Sequence, residues 1–190
     1  MAIAKLNPIL AQLSGQVGDL VFKHYGDRVV ITKKPDMSRV TPSRAQETHR
    51  ERFARAVAYS RRVLTDPEAR AAYEVPARAA GKSVYGMTIS DFFHPPSVDA
   101  VDLSLYTGVP GDPIPVIARD DVQVRRVTVS ICTEDGTQIE AGEAVRVDGD
   151  ARWAYATTVA VAAGATVRVT ATATDLPGGE GDLEQVWTVG

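Results

Sequence analysis

The residue types that most often carry catalysis are sparse in this chain. Its 190 residues include one cysteine, Cys132, and three histidines, His24, His49 and His94. Nucleophilic catalysis needs a thiol or hydroxyl beside a base that a third group orients. Cys132 falls inside a predicted strand, and the histidines fall in a predicted strand, a predicted helix and a hinge, without the i, i+4 spacing of a helical zinc pair. The pattern predicts neither a catalytic centre nor a zinc site.

Acidic residues are concentrated where predicted strands end. They are Asp120 with Asp121, Glu134 with Asp135, Asp148 and Asp150, and Asp175 with Glu180 and Asp182. Loops at one end of a β-sandwich cluster in space, and oxygen-rich loops suit calcium. The spacing of an EF-hand loop is missing, so the pattern favours solvated turns over a calcium site. We therefore predict no metal and no cofactor.

A predicted helix that begins at Thr41-Pro42 has a basic face. The charged residues of this helix are Arg44, Arg50, Arg52, Arg55, Arg61 and Arg62, against Glu47 and Glu51. Such a face could hold phosphates, but it lacks the interleaved aromatic residues of a nucleic-acid surface and its glutamates dilute it. The pattern favours a helix that is solvated or contacts a protein partner, and it argues against nucleic acid.

Charge changes sign near the short stretch from Phe92 to Ser97. Residues 1–98 carry 15 Lys and Arg against 9 Asp and Glu, a net charge of +6. Residues 99–190 carry 6 Arg against 15 Asp and Glu, a net charge of −9. Pro95 and Pro96 bias the residues before them away from helix. We predict two independently packed modules, residues 1–95 and 98–190, joined near His94–Val98.

The basic module begins with a predicted β-hairpin. Residues 20–24 and 28–32 are rich in β-branched and aromatic residues, and Gly26 suits the turn between them. One face of the hairpin carries Leu20, Phe22, Val29 and Ile31, and the other carries Val21, Tyr25 and Val30. Because a hairpin on one core needs only one apolar face, the second face should be covered by the N-terminal arm or by another subunit.

Helices are predicted to follow the hairpin, which makes this module α+β. The first has Thr41 as its N-cap residue, and the second opens with Thr65-Asp66-Pro67-Glu68 and is stopped by Gly81. Residues 84–93 predict an extended piece and a short helical turn. The segment before the hairpin, which contains Pro8, fits either a short helix or an extended arm.

This half contains a set of scattered small, aromatic and polar positions: Ser14-Gly15-x-x-Gly18, Phe22, Gly26, Lys34-Pro35, Thr41-Pro42, Gln46, Arg50, Phe53, Ala56, Leu64-Thr65-Asp66 and Ala71-Ala72-Tyr73. In these positions it resembles a bacterial and phage-associated structural module whose members are mostly uncharacterised. The resemblance covers roughly residues 14–93 and brings no catalytic residues. It implies a setting in a surface, virion or filament structure.

The acidic module reads as strands at regular spacing. We predict strands at 99–106, 113–119, 122–133, 137–147, 152–161, 166–174 and 184–189, several of them with period-two alternation of apolar residues. Seven such strands in about 90 residues are typical of an immunoglobulin-like sandwich. Trp153 and Tyr155 share one strand face and should point to the core. The pattern resembles the immunoglobulin-like domains of bacterial surface proteins.

These patterns favour a non-enzymatic structural subunit that associates head-to-tail into a filament or another extracellular or virion-type assembly, since the two halves carry opposite charge. The predicted subunit interface comprises Leu20, Val21, Phe22, Val30, Ile31, Arg44, Arg52, Arg55, Arg62, Asp120, Asp121, Asp148 and Asp150. Expected partners are other copies of the chain, and cell-surface or virion proteins. The alternative is a monomeric surface module that binds a glycan or protein through its sandwich loops. We expect no membrane span and recognise no signal peptide.

Overall fold

A computed structural model describes residues 13–25, 28–36, 41–148 and 151–190. The chain divides into two compact units, Met1–Glu47 and Thr48–Gly190. The predicted N-terminal arm around Pro8, the predicted turn at Gly26 and the interface candidate Asp150 lie outside the described residues.

The described part of the first unit is a three-stranded antiparallel sheet in the order β1-β2-β3. The strands are β1 (Gly15–Val17), β2 (Leu20–Tyr25) and β3 (Arg28–Lys33). The pairing of β2 with β3 confirms the predicted hairpin. The sequence did not predict β1, a short strand that turns into β2 at Gly18, whose φ of +58° suits a residue without a Cβ.

The cross-strand register puts five apolar side chains on one face of this sheet. Phe22 lies opposite Ile31, and Val17 lies opposite Leu20. Val29, two residues before Ile31, shares their face because side chains alternate along a strand. The opposite face carries Gln16, Val21 and Thr32, with Lys23 and Val30 one pair further along. The sheet therefore has one predominantly apolar face and one mixed face.

Helix α1 (Arg44–Thr65) begins later than predicted, since its cap is at Ser43 and not at Thr41. The Ser43 hydroxyl accepts a hydrogen bond from the Gln46 amide at 3.3 Å, and the Ser43 amide donates to Gln46 Oε1 at 3.0 Å. This reciprocal pair is a capping box and satisfies two backbone donors. Asp66 caps helix α2 (Pro67–Ala79) by accepting from the Glu68 amide. This helix continues past Pro76 to Ala79.

Residues 84–93 form one regular helix, α3 (Val84–Phe93), where the sequence predicted an extended piece and a single turn. Ser83 caps it by accepting a hydrogen bond from the Gly86 amide. A buried hydrogen bond of 2.6 Å from Thr88 to Ser60 joins α3 to α1. The helical part of the second unit thus packs around both apolar and polar buried contacts.

Eight strands form two antiparallel four-stranded sheets in residues 97–148 and 151–190. They are β4 (Ser97–Val101), β5 (Pro113–Arg119), β6 (Val124–Thr133), β7 (Gln138–Glu143), β8 (Val145–Asp148), β9 (Arg152–Ala156), β10 (Thr166–Asp175) and β11 (Glu180–Thr188). One sheet has the order β11-β10-β6-β7 and the other β4-β5-β9-β8. The predicted sandwich-like, all-β region is confirmed at this level.

The sequence predicts one strand at 137–147, but the structure has two strands there, β7 and β8, which belong to different sheets. Buried Ala144 separates the two strands, and its amide donates to the Val127 carbonyl oxygen. Apolar and polar residues alternate on both sides of Ala144, so the period-two pattern alone does not show that two strands are present. Trp153 and Tyr155 are both buried in the sandwich core, as predicted.

The helices and strands of the second unit share contacts. Val63, Tyr73, Ala77 and Met87 form a buried helical cluster, and Val122 and Leu176 from the strand region pack against it. The boundary that we predicted at residues 95–98 stays a prediction about which part of the chain folds alone. In the described part of the chain, no helix is long and apolar enough to cross a membrane.

Gly181 in β11 makes a close backbone contact with the hinge, where an added Cβ would lie 1.9 Å from the Pro96 carbonyl oxygen. We expect Gly181→Ala to lower the free energy of unfolding by about 1–3 kcal/mol, because strand or hinge must shift. Urea denaturation would measure the change. The control, Glu180→Ala at the exposed neighbouring position, should lie within about 0.5 kcal/mol of the parent. Equal stability of the two variants would contradict this close packing.

Candidate functional site

Three carboxylates from distant parts of the chain come together in the second unit. Asp91 lies near the end of α3, Asp120 directly follows β5, and Asp175 is the last residue of β10. Each offers an oxygen within 4.8 Å of an oxygen of the other two. We call this group the carboxylate cluster. Val122 and Leu176, which follow Asp120 and Asp175, pack against the helices and bring the two strand ends to α3.

The backbone around each strand end fixes its carboxylate. Asp120 Oδ2 accepts hydrogen bonds from the amides of Val122 at 3.0 Å and Gln123 at 2.8 Å. Asp175 Oδ1 accepts from the amides of Gly178 at 2.7 Å and Gly179 at 2.5 Å. An added Cβ on Gly179 would lie 2.6 Å from Asp175 Oδ2, so the loop approaches the carboxylate more closely than another residue type allows.

Two tyrosines continue the polar group into the helices. The Tyr73 hydroxyl donates to Asp91 Oδ2 at 2.5 Å, and the hydroxyls of Tyr73 and Tyr59 are 2.7 Å apart. Burial raises the pKa of both tyrosines above its usual value. Both hydroxyls therefore stay protonated at neutral pH and act as hydrogen-bond partners.

The carboxylate cluster is strongly buried. Asp91 is 0% exposed and Asp175 is 1% exposed, while Asp120 is half-buried. Burial raises the pKa of Asp91 to about 7; the hydrogen bond from Tyr73 opposes this shift, and the charges of Asp120 and Asp175 add to it. Burial also raises the pKa of Asp175, against the hydrogen bonds from Gly179 and Gly178. Such a group either retains protons or holds a cation.

The sequence indicated only part of the cluster. Asp120 and Asp175 were among the acidic residues at strand ends, but Asp91 was not singled out. The available signal was its position, because Asp91 is the one acidic residue in the stretch from Val84 to Phe93. An isolated carboxylate on an apolar helix needs a partner when it is buried. The sequence does not reveal which strand ends supply that partner.

The predicted apolar interface residues all lie on the three-stranded sheet. Leu20 is 46% exposed and Ile31 is 42% exposed, Val21 and Val30 are half-buried, and Phe22 is buried. The neighbouring Val17, which was not predicted, is 59% exposed. The structure therefore brings exposed apolar residues together on one face of the sheet.

The predicted arginines are all exposed on α1. The helical period of 3.6 residues places Arg44, Arg52, Arg55 and Arg62 on one side of that helix. Two of them also contact aromatic rings of their own chain: Arg52 stacks 4.8 Å from the Phe93 ring centre and Arg62 lies 5.5 Å from that of Tyr59. The basic side of α1 is thus partly held in place by cation–π contacts.

The predicted acidic interface residues have different surroundings. Asp120 belongs to the buried carboxylate cluster, whereas Asp121 is exposed and lies 3.5 Å from His94 Nδ1. Asp148 ends β8. Whether any of these acids contacts a second subunit stays a prediction, and the engagement of Asp120 within its own chain makes Asp121 the better candidate of the two.

No family model matches this chain, and no curated protein matches it. Two solved structures are similar to parts of it. One is an engineered protein, 27% identical with a TM-score of 0.35; the match covers 49% of this chain but only 20% of that chain. The other is a conjugative transposon lipoprotein from Bacteroides eggerthii, 12% identical with a TM-score of 0.25, covering 48% of this chain and 93% of that chain. Likenesses this distant assign no family.

Asp91 should make stability depend on pH. Its raised pKa means that the folded chain binds the proton more tightly than the unfolded chain, so the free energy of unfolding falls as pH rises from about 4 to about 7. The contribution is at most about 1.4 kcal/mol per pH unit. Urea denaturation in metal-free buffer should find the parent more stable at pH 5 than at pH 8. Asp91→Asn should flatten this profile, and identical profiles would contradict the assignment.

Proposed function

We propose that this chain is a non-enzymatic structural subunit that associates head-to-tail with further copies of itself, in an extracellular or virion-type assembly. The observation that carries the proposal is the apolar face of the three-stranded sheet, where Val17, Leu20 and Ile31 are each more than 40% exposed. Exposed apolar side chains gathered on one face are typical of interaction surfaces.

The size of the sheet supports the same proposal. A two-stranded hairpin is marginally stable in water, and a sheet needs three or more strands with a hydrophobic face, or packing against a helix, for independent stability. This sheet has the minimum of three strands, so covering its apolar face would stabilise it further. The outer strands β1 and β3 are the two edges of this sheet, and the backbone N–H and C=O groups on their outer sides point away from the other strands. Such edges readily accept a strand from another chain. A second copy could therefore cover the apolar face or extend the sheet.

Charge supports association between unlike surfaces. Residues 1–98 have a net charge of +6 and residues 99–190 a net charge of −9. Contacts between the basic side of α1 and acidic strand ends such as Asp121 would be favourable, and contacts between two like surfaces would not. A heterologous contact of this kind generates rings or filaments. Exposed ion pairs contribute only about 0–1 kcal/mol each, so the apolar sheet must supply most of the affinity.

We further infer that the strand region is immunoglobulin-like. The support is strand order: if β4 to β11 are taken in sequence as A, B, C, C′, D, E, F and G, the sheets read A-B-E-D and G-F-C-C′. This contains the constant-type arrangement, in which A, B, E and D share one sheet and C, F and G the other, and it adds the strand C′ beside C, as variable-type domains do. Such domains commonly build surface assemblies, which agrees with the proposed function.

Leu20→Lys combined with Ile31→Lys tests the sheet surface. Both positions are exposed, so the variant should fold, but buried lysines would disfavour the contact between copies. Analytical ultracentrifugation should find that the parent forms concentration-dependent oligomers and that the variant stays monomeric. The matched control is Gln16→Lys with Thr32→Lys, which adds the same charge to the opposite face and should associate like the parent. A monomeric parent would favour the alternative surface-binding module.

Arg52→Glu combined with Arg55→Glu tests the electrostatic part. We expect this variant to associate more weakly than the parent at low salt, with the difference shrinking at about 1 M salt, where the Debye length is about 3 Å. Arg50→Glu with Arg61→Glu reverses the same charge on another side of α1 and serves as the control. Sedimentation across a salt series would measure both variants. Equal salt dependence of all three proteins would contradict a role for this helix side.

A further inference from the structure

We propose that Asp91, Asp120 and Asp175 form a binding site for a hard divalent cation of the calcium class. This inference is independent of self-association. It rests on unsatisfied oxygens, on the distances between the three carboxylates, and on the way in which their neighbours hold them.

Each member of the carboxylate cluster keeps one oxygen unused. Asp91 Oδ1, Asp120 Oδ1 and Asp175 Oδ2 are all buried, and none accepts a hydrogen bond from a donor outside the cluster among the described residues. Asp91 and Asp120 can hydrogen-bond to each other only while one of them is protonated. Buried polar atoms without partners are rare in folded proteins, and each calls for a specific explanation. One cation coordinated by all three of these unused carboxylate oxygens would explain them together.

The ligand must be positively charged. The three side chains are all acidic, and none of them forms an ion pair with a lysine or arginine in the described parts of the chain. Arg119, which immediately precedes Asp120, pairs instead with Asp99 at 3.2 Å. Carboxylate oxygens are the ligands that calcium and magnesium prefer. The donor set offers no sulfur or imidazole, which softer metals would select.

The separations fit calcium well. Calcium binds oxygens at 2.3–2.6 Å, so two oxygens on one ion lie at most about 5 Å apart. The oxygens of the carboxylate cluster lie within 4.8 Å of one another. Three equidistant oxygens at 2.6 Å from one ion lie about 4.5 Å apart, so at most a small movement of the side chains lets one calcium ion contact all three. Magnesium binds at 2.0–2.1 Å, which limits opposite oxygens to about 4.2 Å. Separations near the upper limit of 4.8 Å therefore suit calcium better than magnesium, and water can complete its coordination.

The surroundings hold each carboxylate by its other oxygen. Tyr73 donates to Asp91, and the loop amides described above donate to Asp120 and Asp175. This division resembles that of metal sites, where partners outside the coordination sphere orient the ligands. Three fixed carboxylates need less reorganisation to bind an ion than three mobile ones.

Asp120 also borders a surface cavity. A surface cavity of about 200 Å³ is lined by Asp120 with His94, Pro95, Ser97, Arg119 and Asp121. The half-buried Asp120 therefore lies between this cavity and the fully buried Asp91. The cavity gives an ion an entry path on one side of Asp120, and because Asp120 Oδ1 is itself buried, the side chains around it must move before an ion reaches that oxygen.

Calcium titration at pH 8 tests the proposal. The melting temperature of the full chain should rise by about 5–10 °C between EDTA and a hundredfold excess of CaCl₂ over its Kd. NaCl at equal ionic strength should give no comparable rise, and MgCl₂ a smaller one. Asp120→Asn and Asp175→Asn should each weaken calcium binding at least about tenfold, since both remove a ligand charge. Both asparagines can still accept the loop hydrogen bonds, so the fold is preserved.

Asp121→Asn is the matched control, because Asp121 adjoins the site but lies outside the carboxylate cluster. It should retain the calcium-dependent rise. Terbium luminescence excited through Tyr59 and Tyr73 provides a readout that does not depend on stability: the parent and Asp121→Asn should sensitise bound Tb³⁺, and Asp120→Asn and Asp175→Asn should not.

A parent that neither gains stability from CaCl₂ nor sensitises Tb³⁺ would overturn the proposal, and the cluster would then be a group that shares protons. Equal binding by Asp121→Asn, Asp120→Asn and Asp175→Asn would overturn the assignment to these three residues.

Discussion

The burial of three negative charges in one place is the constraint on which the second unit depends. Burying a carboxylate without compensation is strongly unfavourable, and placing a second one beside it adds repulsion. Asp91, Asp120 and Asp175 nevertheless lie together where α3 meets the ends of β5 and β10. Hydrogen bonds to Tyr73 and to loop amides satisfy one oxygen of each. A cation or shared protons must balance the rest.

The same three residues stand where the helices meet the strands. Val122 and Leu176 follow Asp120 and Asp175 and pack into the helical cluster beside Tyr73. A polar centre with a surrounding apolar contact therefore ties the two strand ends to α2 and α3. A charge change at that centre alters the stability of the junction, whereas the sandwich core, formed by residues such as Val129, Ile131 and Val169, lies in a separate cluster. Binding of an ion would stabilise the helices on the strands.

Local patterns predicted much of the fold. β-Branched and aromatic residues around Gly26 predicted the hairpin, and period-two alternation predicted strands such as β6 and β10. The pattern Thr65-Asp66-Pro67-Glu68 predicted the start of α2. The errors occurred where two signals compete. Thr41-Pro42 and Ser43-x-x-Gln46 both suit a helix start. The helix begins after Ser43, because Ser43 and Gln46 form the reciprocal hydrogen bonds of a capping box. The break at Ala144 and the carboxylate cluster depend on contacts between distant residues, which spacing in one sequence does not encode.

Crystals of the full chain grown with CaCl₂ at pH 8 would test most directly whether a cation balances the buried charges. An anomalous difference map should contain a peak about 2.3–2.6 Å from one oxygen each of Asp91, Asp120 and Asp175. The contradicting result is a well-ordered cluster without any peak within coordination distance of these oxygens. That arrangement would mean that protons, and not a cation, compensate the buried carboxylates.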